Sequence, residues 1–157
     1  MFFKKSKSRR SGKNRFRRMF LEDLEDRRML AGVHPFDLAT LDGSNGFRLD
    51  GIDAGDYAGR SVSTAGDVNG DGYADILVGA YGVDGSAGET YVVFGSGSGF
   101  AASLDLSTLD GSNGFRLDGI DAGDWSGFSV STAGDVNGDG YADIIVGAYW
   151  ADPGRSL

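Results

Sequence analysis

Short apolar segments, separated by glycine and acidic residues, make up most of this 157-residue chain. FRLDG from Phe47 alternates apolar and polar residues, which is typical of a half-buried strand. DILVGAY from Asp75 is continuously apolar after its first residue, which predicts a strand buried on both faces. SVSTAG from Ser61 is short and consists mainly of small residues, and ETYVVFG from Glu89 is rich in β-branched and aromatic residues. The pattern therefore predicts four short strands per unit and an all-β fold.

The whole pattern occurs twice. The 41 residues from Leu41 to Tyr81 return from Leu109 to Tyr149, 68 residues later, with four differences. A four-stranded antiparallel unit repeated at such a period is typical of a β-propeller blade. The predicted organisation is an N-terminal segment over residues 1–33 and a repeat region over residues 34–157, with repeat 1 at about 41–108 and repeat 2 at about 109–157.

Charge divides the chain into a basic head and an acidic body. Eleven of the 15 Lys and Arg residues lie in residues 1–30, whereas the rest of the chain carries four Arg and 19 acidic residues. The acidic body repels nucleic acid and anionic membranes, and it favours cations as partners. The chain has no Cys, which excludes disulfides and thiolate catalysis.

The basic head has three interpretations. A secretory signal requires about 7–15 consecutive apolar residues, and four acidic residues between positions 22 and 26 interrupt that run. LEDRRML from Leu24 resembles a short N-terminal motif of large exported bacterial surface proteins, which favours an export or sorting segment. A disordered basic tail, with a short amphipathic helix around Met19 to Arg28, is the second interpretation, and a nucleic-acid-binding arm is the third. No stretch approaches the roughly 20 apolar residues of a membrane span.

The ten residues GDVNGDGYAD, which begin at Gly66 and again at Gly134, carry the candidate chemistry. In the nine-residue loop that starts at Asp67, oxygen-bearing side chains occupy positions 1, 3, 5 and 9, and glycine occupies position 6. Calcium prefers six to eight oxygen ligands, and three carboxylates crowded together without a cation would repel one another. We therefore predict two Ca²⁺ sites. The predicted ligands are Asp67, Asn69, Asp71, Tyr73 and Asp75 in the first loop and Asp135, Asn137, Asp139, Tyr141 and Asp143 in the second, with the two tyrosines contributing backbone carbonyls.

Other cation loops fit the sequence less well. An EF-hand requires a bidentate Glu at position 12, where this chain has Val78 and Val146, and it requires flanking helices. Dockerin-type loops also run into a helix, whereas strands follow here. Mg²⁺ is disfavoured because nearly all ligands come from one flexible loop. A turn rich in Asp and Asn that binds no metal is the remaining alternative.

GRSVSTAGDVNGDGYADILVGAY, from Gly59, resembles the FG-GAP repeat. That repeat builds the seven-bladed propeller of integrin α-subunits and occurs in many bacterial surface proteins. The resemblance covers roughly Leu41 to Trp150. It implies that the calcium loops lie on the lower face of a propeller and stiffen the first-to-second strand turn of each blade.

The sequence departs from the family pattern at two places in each copy. Ala58 and Ser126 replace the Phe of "FG", and Tyr81 and Tyr149 replace the Pro of "GAP". Two repeats also fall short of the four to eight blades that close a propeller. We therefore expect an incomplete propeller, which belongs to a truncated piece of a larger protein or is completed by self-association.

The predicted function is a non-enzymatic, calcium-binding module of an exported or cell-surface bacterial protein, which binds or adheres to an extracellular protein or glycan. One alternative is the propeller part of a larger enzyme, because a glycosylphosphatidylinositol-specific phospholipase D also carries FG-GAP repeats. Another is a gene fragment without independent function.

Catalytic chemistry has little support in these residues. His34 is the single histidine and lies before the repeats, where an ordinary polar role is expected. The acidic triplet Asp50, Asp53 and Asp56 is predicted to be a solvated loop rather than a further ligand site. Tyr57 and Trp125, at equivalent places in the two copies, are predicted to pack between blades rather than to hold a sugar or a peptide.

Overall fold

A computed structural model describes residues 37–152 of the chain. The predictions for residues 1–33 and for His34 therefore lie outside the described residues. The fold is all-β, as predicted, with 3₁₀ turns at Leu38–Thr40 and Leu106–Thr108 and one helical turn at Val83–Ser86. The strands are β1 (Arg48–Asp50), β2 (Ser61–Gly66), β3 (Asp75–Ala80), β4 (Glu89–Val93), β5 (Ser103–Asp105), β6 (Gly114–Asp118), β7 (Ser129–Gly134) and β8 (Asp143–Gly147).

The central sheet has four antiparallel strands in the order β2-β3-β4-β6, which is the arrangement of one propeller blade. Its fourth strand comes from the second sequence repeat, because β6 is the later copy of FRLDG. The long connection after β4 returns the chain to the edge of the sheet, where the Phe94 amide donates to the Asn113 carbonyl at 3.0 Å. The structural blade is therefore shifted by one strand relative to the sequence repeat.

Two smaller sheets flank this blade. The hairpin β7–β8 repeats the pairing of β2–β3, including the irregularity between Thr132 and Gly134 that matches the one between Thr64 and Gly66. The strands β1 and β5 pair in parallel, with Leu49 opposite Leu104. The sequence pattern did not predict this parallel pair, since an antiparallel fold was expected throughout.

The two inner strands of the central sheet, β3 and β4, are covered on both faces. On one face Val78, Tyr91 and Val93 pack against Leu106 beside the β1–β5 pair. On the other face Ala65, Leu77 and Val92 form a cluster against which Val130 and Ile144 of the β7–β8 hairpin pack. The prediction that DILVGAY is buried on both faces is confirmed for β3, where Leu77 is 0% and Val78 is 3% exposed.

A buried polar group lies between β4 and β6. Glu89 is 4% exposed, accepts a hydrogen bond from the Tyr91 hydroxyl, and has its Oε1 3.4 Å from Nη1 of Arg116. Burial, together with the hydrogen bond to Glu89, raises the pKa of the Tyr91 phenol above its ordinary value. The phenol therefore stays protonated at neutral pH and keeps donating to the carboxylate.

The close approach of strand and loop at Gly79 gives a test of this packing. A Cβ at Gly79 would meet the backbone carbonyl of Gly127, which also accepts a hydrogen bond from Ser61 at 2.7 Å. At the equivalent Gly147, the nearest atom is the hydroxyl of Ser129, which can rotate away. We expect Gly79→Ala to lower the free energy of unfolding by about 1–3 kcal/mol, and Gly147→Ala by less than about 1 kcal/mol.

Urea unfolding followed by circular dichroism measures both variants. Equal losses in the two variants would contradict the packing described here, because only Gly79 faces an immobile backbone group.

Candidate metal centre

The first acidic loop, residues 67–75, connects β2 to β3 and is curled by its own side chains. Oδ1 of Asp67 accepts the amides of Gly70 at 2.7 Å and Asp71 at 3.0 Å, and its Oδ2 accepts the amide of Gly72 at 2.9 Å. Oδ1 of Asp71 accepts the amide of Tyr73 at 2.8 Å. Gly70 and Gly72 have φ of 77° and 88°, a conformation that glycine adopts without steric cost. The loop is therefore wound around its first carboxylate.

The carboxylate of Asp75 closes this loop. Asp75 is 1% exposed, and its Oδ2 accepts the amide of Val68 at 2.8 Å. Its Oδ1 accepts the amide of Gly95, just beyond β4, also at 2.8 Å. A buried carboxylate is tolerated only with such partners. Asp75 thereby connects the loop, the start of β3 and the chain that leaves β4.

The second loop, residues 135–143, has the same amide hydrogen bonds to its first Asp. Asp135 accepts the amides of Gly138 at 2.6 Å, Asp139 at 3.1 Å and Gly140 at 2.9 Å. Oδ2 of Asp143 accepts the amide of Val136 at 2.8 Å. No hydrogen bond to Oδ1 of Asp143 occurs among residues 37–152, and this residue is only half-buried. The second loop is therefore curled like the first, but it lacks the contact with a third strand.

The two loops touch one another. The amide of Ala142 donates to the backbone carbonyl of Asp67 at 2.9 Å. A side chain at Gly70 would meet the ring of Tyr141, so this ring lies directly against the first loop. This contact follows from the packing of β7 against β2, and the sequence pattern contained no signal for it.

The donor atoms of each loop match the chemistry that calcium prefers. Each loop offers three carboxylates, one amide oxygen and one backbone carbonyl. Oδ1 of Asp67 and Oδ1 of Asp135 each accept two amides, whereas a carboxylate oxygen that accepts one amide retains a further lone pair for a cation. Within the described chain, no three acidic or histidine side chains converge closely enough to hold a metal ion as placed. The side-chain oxygens are turned toward the amides of their own loops instead. The ten predicted ligands therefore remain a prediction, although each set of five lies in one curled loop.

The acidic triplet before β2 has local partners. Asp50 forms an ion pair with Arg48, which lowers the pKa of the Asp50 carboxyl group through their hydrogen bond. Oδ2 of Asp56 accepts the amide of Asp53 at 3.0 Å. Asp53 is exposed, whereas Asp50 is the half-buried last residue of β1 and Asp56 is also half-buried, so the interpretation as a solvated loop fits Asp53 alone.

An aromatic cluster lies at the opposite end of the strands from the acidic loops. Tyr81 stacks on Tyr57 at 4.9 Å between ring centroids, and it contacts Trp125 at 5.3 Å and Phe128 at 5.4 Å. The Tyr that replaces the "GAP" proline is therefore a packing residue. Trp125 contacts Tyr81 of the other repeat, as predicted, whereas Tyr57 is 59% exposed and stacks on Tyr81 within its own repeat. Sequence reasoning missed Tyr81 and Phe128 as members of this cluster.

A cavity of about 670 Å³ opens beside this cluster. Trp125 and Trp150 line it together with Asp121, Asp124 and Asp152. Trp125 contributes from a backbone with φ of 57°, which is uncommon for a bulky residue.

Asp75 and Asp143 are a matched pair for testing how the loops are held. Asp75→Ala removes the acceptor of two amides, whereas Asp143→Ala removes the acceptor of one. In a chelator, we expect losses of about 2–4 kcal/mol for Asp75→Ala and about 1 kcal/mol for Asp143→Ala. Urea unfolding with chelator present measures these losses without any contribution from bound metal. A larger loss for Asp143→Ala would contradict the proposed role of Gly95.

Comparison with known proteins agrees with this architecture. The model of the FG-GAP repeat family matches residues 58–93 and 126–156. Integrin alpha-PS2 of Drosophila melanogaster is 34% identical over 123 residues, which cover 73% of this chain and 8% of that protein. Integrin alpha pat-2 of Caenorhabditis elegans is 39% identical over 94 residues, or 58% of this chain and 7% of that protein. Integrin alpha-IIb of Homo sapiens is 36% identical over 95 residues, or 60% of this chain and 8% of that protein.

The chain thus spans less than a tenth of the length of the curated relatives that it matches. Both family matches include an acidic loop and the strand that follows it, β3 in one copy and β8 in the other. With two matched repeats and one complete four-stranded blade, the chain is an FG-GAP, integrin α-like protein.

Proposed function

We propose that this chain is a calcium-binding β-propeller module of an exported or cell-surface protein, with a binding or adhesion role and no enzymatic activity. The observation that carries the proposal is the pair of acidic loops, each curled around its first Asp and each placed between the first two strands of a blade. Calcium would draw the carboxylates of each loop together and neutralise their repulsion.

The acidic body and the family both support an extracellular setting. Calcium modules outside cells bind with dissociation constants of about 10⁻⁴–10⁻³ M, which suits sites formed by one short loop each. The relatives carry the name integrin alpha, and integrin α-subunits and bacterial surface proteins are the proteins expected to carry such propellers. Within residues 37–152, no helix has the length and apolar character needed to cross a bilayer.

Binding of an extracellular protein or glycan is the proposed purpose of the module. The cavity beside Trp125 and Trp150 is the described feature best suited to a ligand, because the exposed ring of Trp150, the half-buried ring of Trp125 and carboxylates lie together there. A catalytic role has no comparable support, since the described residues contain no histidine and the chain has no cysteine. A larger enzyme that uses this module only as a propeller is the alternative.

Self-association belongs to the same proposal. Ile145 on the outer face of β8 is 58% exposed and Val62 on β2 is 64% exposed. Contact between two copies of the chain would bury these two side chains, in the same way that the neighbouring β7–β8 hairpin helps to bury Leu77. Sedimentation in millimolar calcium would detect these assemblies.

Calcium titration tests the proposal directly. We expect isothermal titration to count two Ca²⁺ ions per chain, and calcium at tenfold its Kd to stabilise the chain by about 1.4 kcal/mol per site. Asp71→Asn and Asp139→Asn each remove one carboxylate from one loop and should each leave a single site. A chain with no calcium-dependent stability would contradict the proposal.

The control is Asp53→Asn, which removes an exposed carboxylate outside both loops. Its calcium stoichiometry and stabilisation should equal those of the unmodified chain. A loss similar to that of Asp71→Asn would show that the total negative charge, rather than the loops, attracts the ion.

A further inference from the structure

The chain contains two tryptophans, and both line the cavity beside the aromatic cluster. Trp125 and Trp150 belong to the second copy of the repeat, and the first copy has Tyr57 and Gly82 at the equivalent positions. The five residues before Tyr57 and before Trp125 are the same, IDAGD. The two copies therefore diverge in their aromatic residues where the cavity lies, which points to a role for the second copy that the first does not share.

The first copy has no room for a side chain at the position of Trp150. The Gly82 amide donates to the Asp56 carbonyl at 3.0 Å, and a Cβ at Gly82 would collide with the carbonyl oxygen of Gly55. Trp150 keeps the equivalent hydrogen bond, from its amide to the Asp124 carbonyl at 3.0 Å. A residue with a Cβ at this place needs the turn to lie further from it, and in the second copy this turn and Trp150 line a cavity of about 670 Å³.

The turn that lines the cavity is held by the first repeat. The amides of Gly123 and Trp125 both donate to the backbone carbonyl of Ser86, at 3.1 Å and 2.9 Å. The Trp125 ring also contacts Tyr81 at 5.3 Å and Phe128 at 5.7 Å between ring centroids. Because both its backbone and its ring are held, Trp125 forms a wall of the cavity before any ligand arrives, which lowers the entropic cost of binding.

The two indole rings form a corner. Their planes meet at 77°, with 6.1 Å between the ring centroids of Trp125 and Trp150. Aromatic rings attract cations, and Trp does so most strongly. The same cluster already binds one cation, because the Arg60 guanidinium lies 5.2 Å from the ring centroid of Phe128. A planar guanidinium can lie flat on only one of two perpendicular rings, whereas a rounded methylated ammonium can touch both.

The charged side chains of the cavity are all acidic. Asp121, Asp124 and Asp152 line it, and no basic residue is among its described lining. In the first copy, Oδ2 of Asp56 accepts the amide of Asp53 at 3.0 Å. No hydrogen bond or ion pair involves the Asp124 carboxylate within residues 37–152. This carboxylate therefore keeps its full charge for a ligand, and the cavity favours a cation over an anion or a neutral group.

We propose that this cavity binds a methylated ammonium group, with its methyl groups against the rings of Trp125 and Trp150 and its charge balanced by Asp121 and Asp124. The inference rests on the ligand-binding role proposed above, and it names the group that the ligand presents. An unmethylated ammonium is strongly hydrated and loses that water when it enters the cavity. Methylation removes the N–H donors that hold this water, so the methylated group gains more from the rings.

Tryptophan fluorescence of the full chain tests the proposal without a label, because both of its indoles line the cavity. Choline, added at constant ionic strength, should change the emission saturably, with half-saturation at about 1 mM. The titration is run in chelator and again in millimolar calcium, and calcium stoichiometry is measured separately, so that a failure of either proposal is seen by itself. No saturable change up to about 10 mM choline in either buffer would overturn the proposal.

Ligand analogues separate the effect of charge from that of shape. The uncharged analogue of choline, in which a tert-butyl group replaces the trimethylammonium, should bind at least about tenfold more weakly. The acetylated amide of trimethyl-lysine carries the same group on an amino-acid side chain. The tighter binder of choline and this amide identifies whether the group belongs to a small molecule or to a modified protein. Tighter binding of the uncharged analogue, of glucose or of arginine amide than of choline would overturn the proposal.

Equivalent positions in the two copies provide a matched pair of variants. Asp121→Asn and Asp53→Asn each remove one exposed carboxylate, so they change the net charge of the chain equally. Asp121→Asn should weaken choline binding about threefold, whereas Asp53→Asn should leave it unchanged. Trp150→Gly, which introduces the residue of the first copy, should weaken binding about tenfold, with Trp125 as the remaining reporter. Circular dichroism checks that the variants stay folded, and equal affinities of the two Asn variants would overturn the assignment to this cavity.

Discussion

The carboxylate of Asp75 is the contact on which the rest of the blade depends. It is buried, and it accepts the amides of Val68 in the acidic loop and Gly95 after β4. A buried carboxylate without hydrogen-bond partners would lower the stability of the fold by roughly several kcal/mol, because nothing would replace its lost hydration. Asp75 therefore couples the conformation of the loop to the pairing of β3 with β4. Because Asp75 immediately precedes Ile76, the same contact also holds the register in which Ile76 lies opposite Val93.

Within residues 37–152, the second copy shows the same residues with no third strand paired to β8. Asp143 keeps its contact with Val136 but is only half-buried. Ile145 is 58% exposed where Leu77 is fully covered. Nearly identical sequences thus reach different burial because each unit of a repeat protein takes much of its stability from the neighbour that packs on it.

The acidic loops and the aromatic cluster lie at opposite ends of the strands. The acidic loops lie at one end, each between the first two strands of a sheet, and they contact each other through Ala142 and Asp67. The aromatic cluster around Tyr81 lies at the other end and joins the two repeats. A cation bound at one end would stiffen the hairpins, and the segments before and after the β7–β8 hairpin line the cavity at the other end.

The sequence by itself determined the described strands other than β5, the turns between them and the position of both acidic loops. These features are local, because alternation in FRLDG, the apolar run after Asp75 and the glycines at positive φ act within a few residues. The tertiary structure decided which strands pair. It placed β6 in the blade of the preceding repeat, joined β1 to β5 in parallel, and brought Gly95 to Asp75 across 20 residues. Such contacts depend on the path that the chain takes after β4. In a repeated sequence, two nearly identical segments could pair with the same strand, and only the packing around them decides which one does.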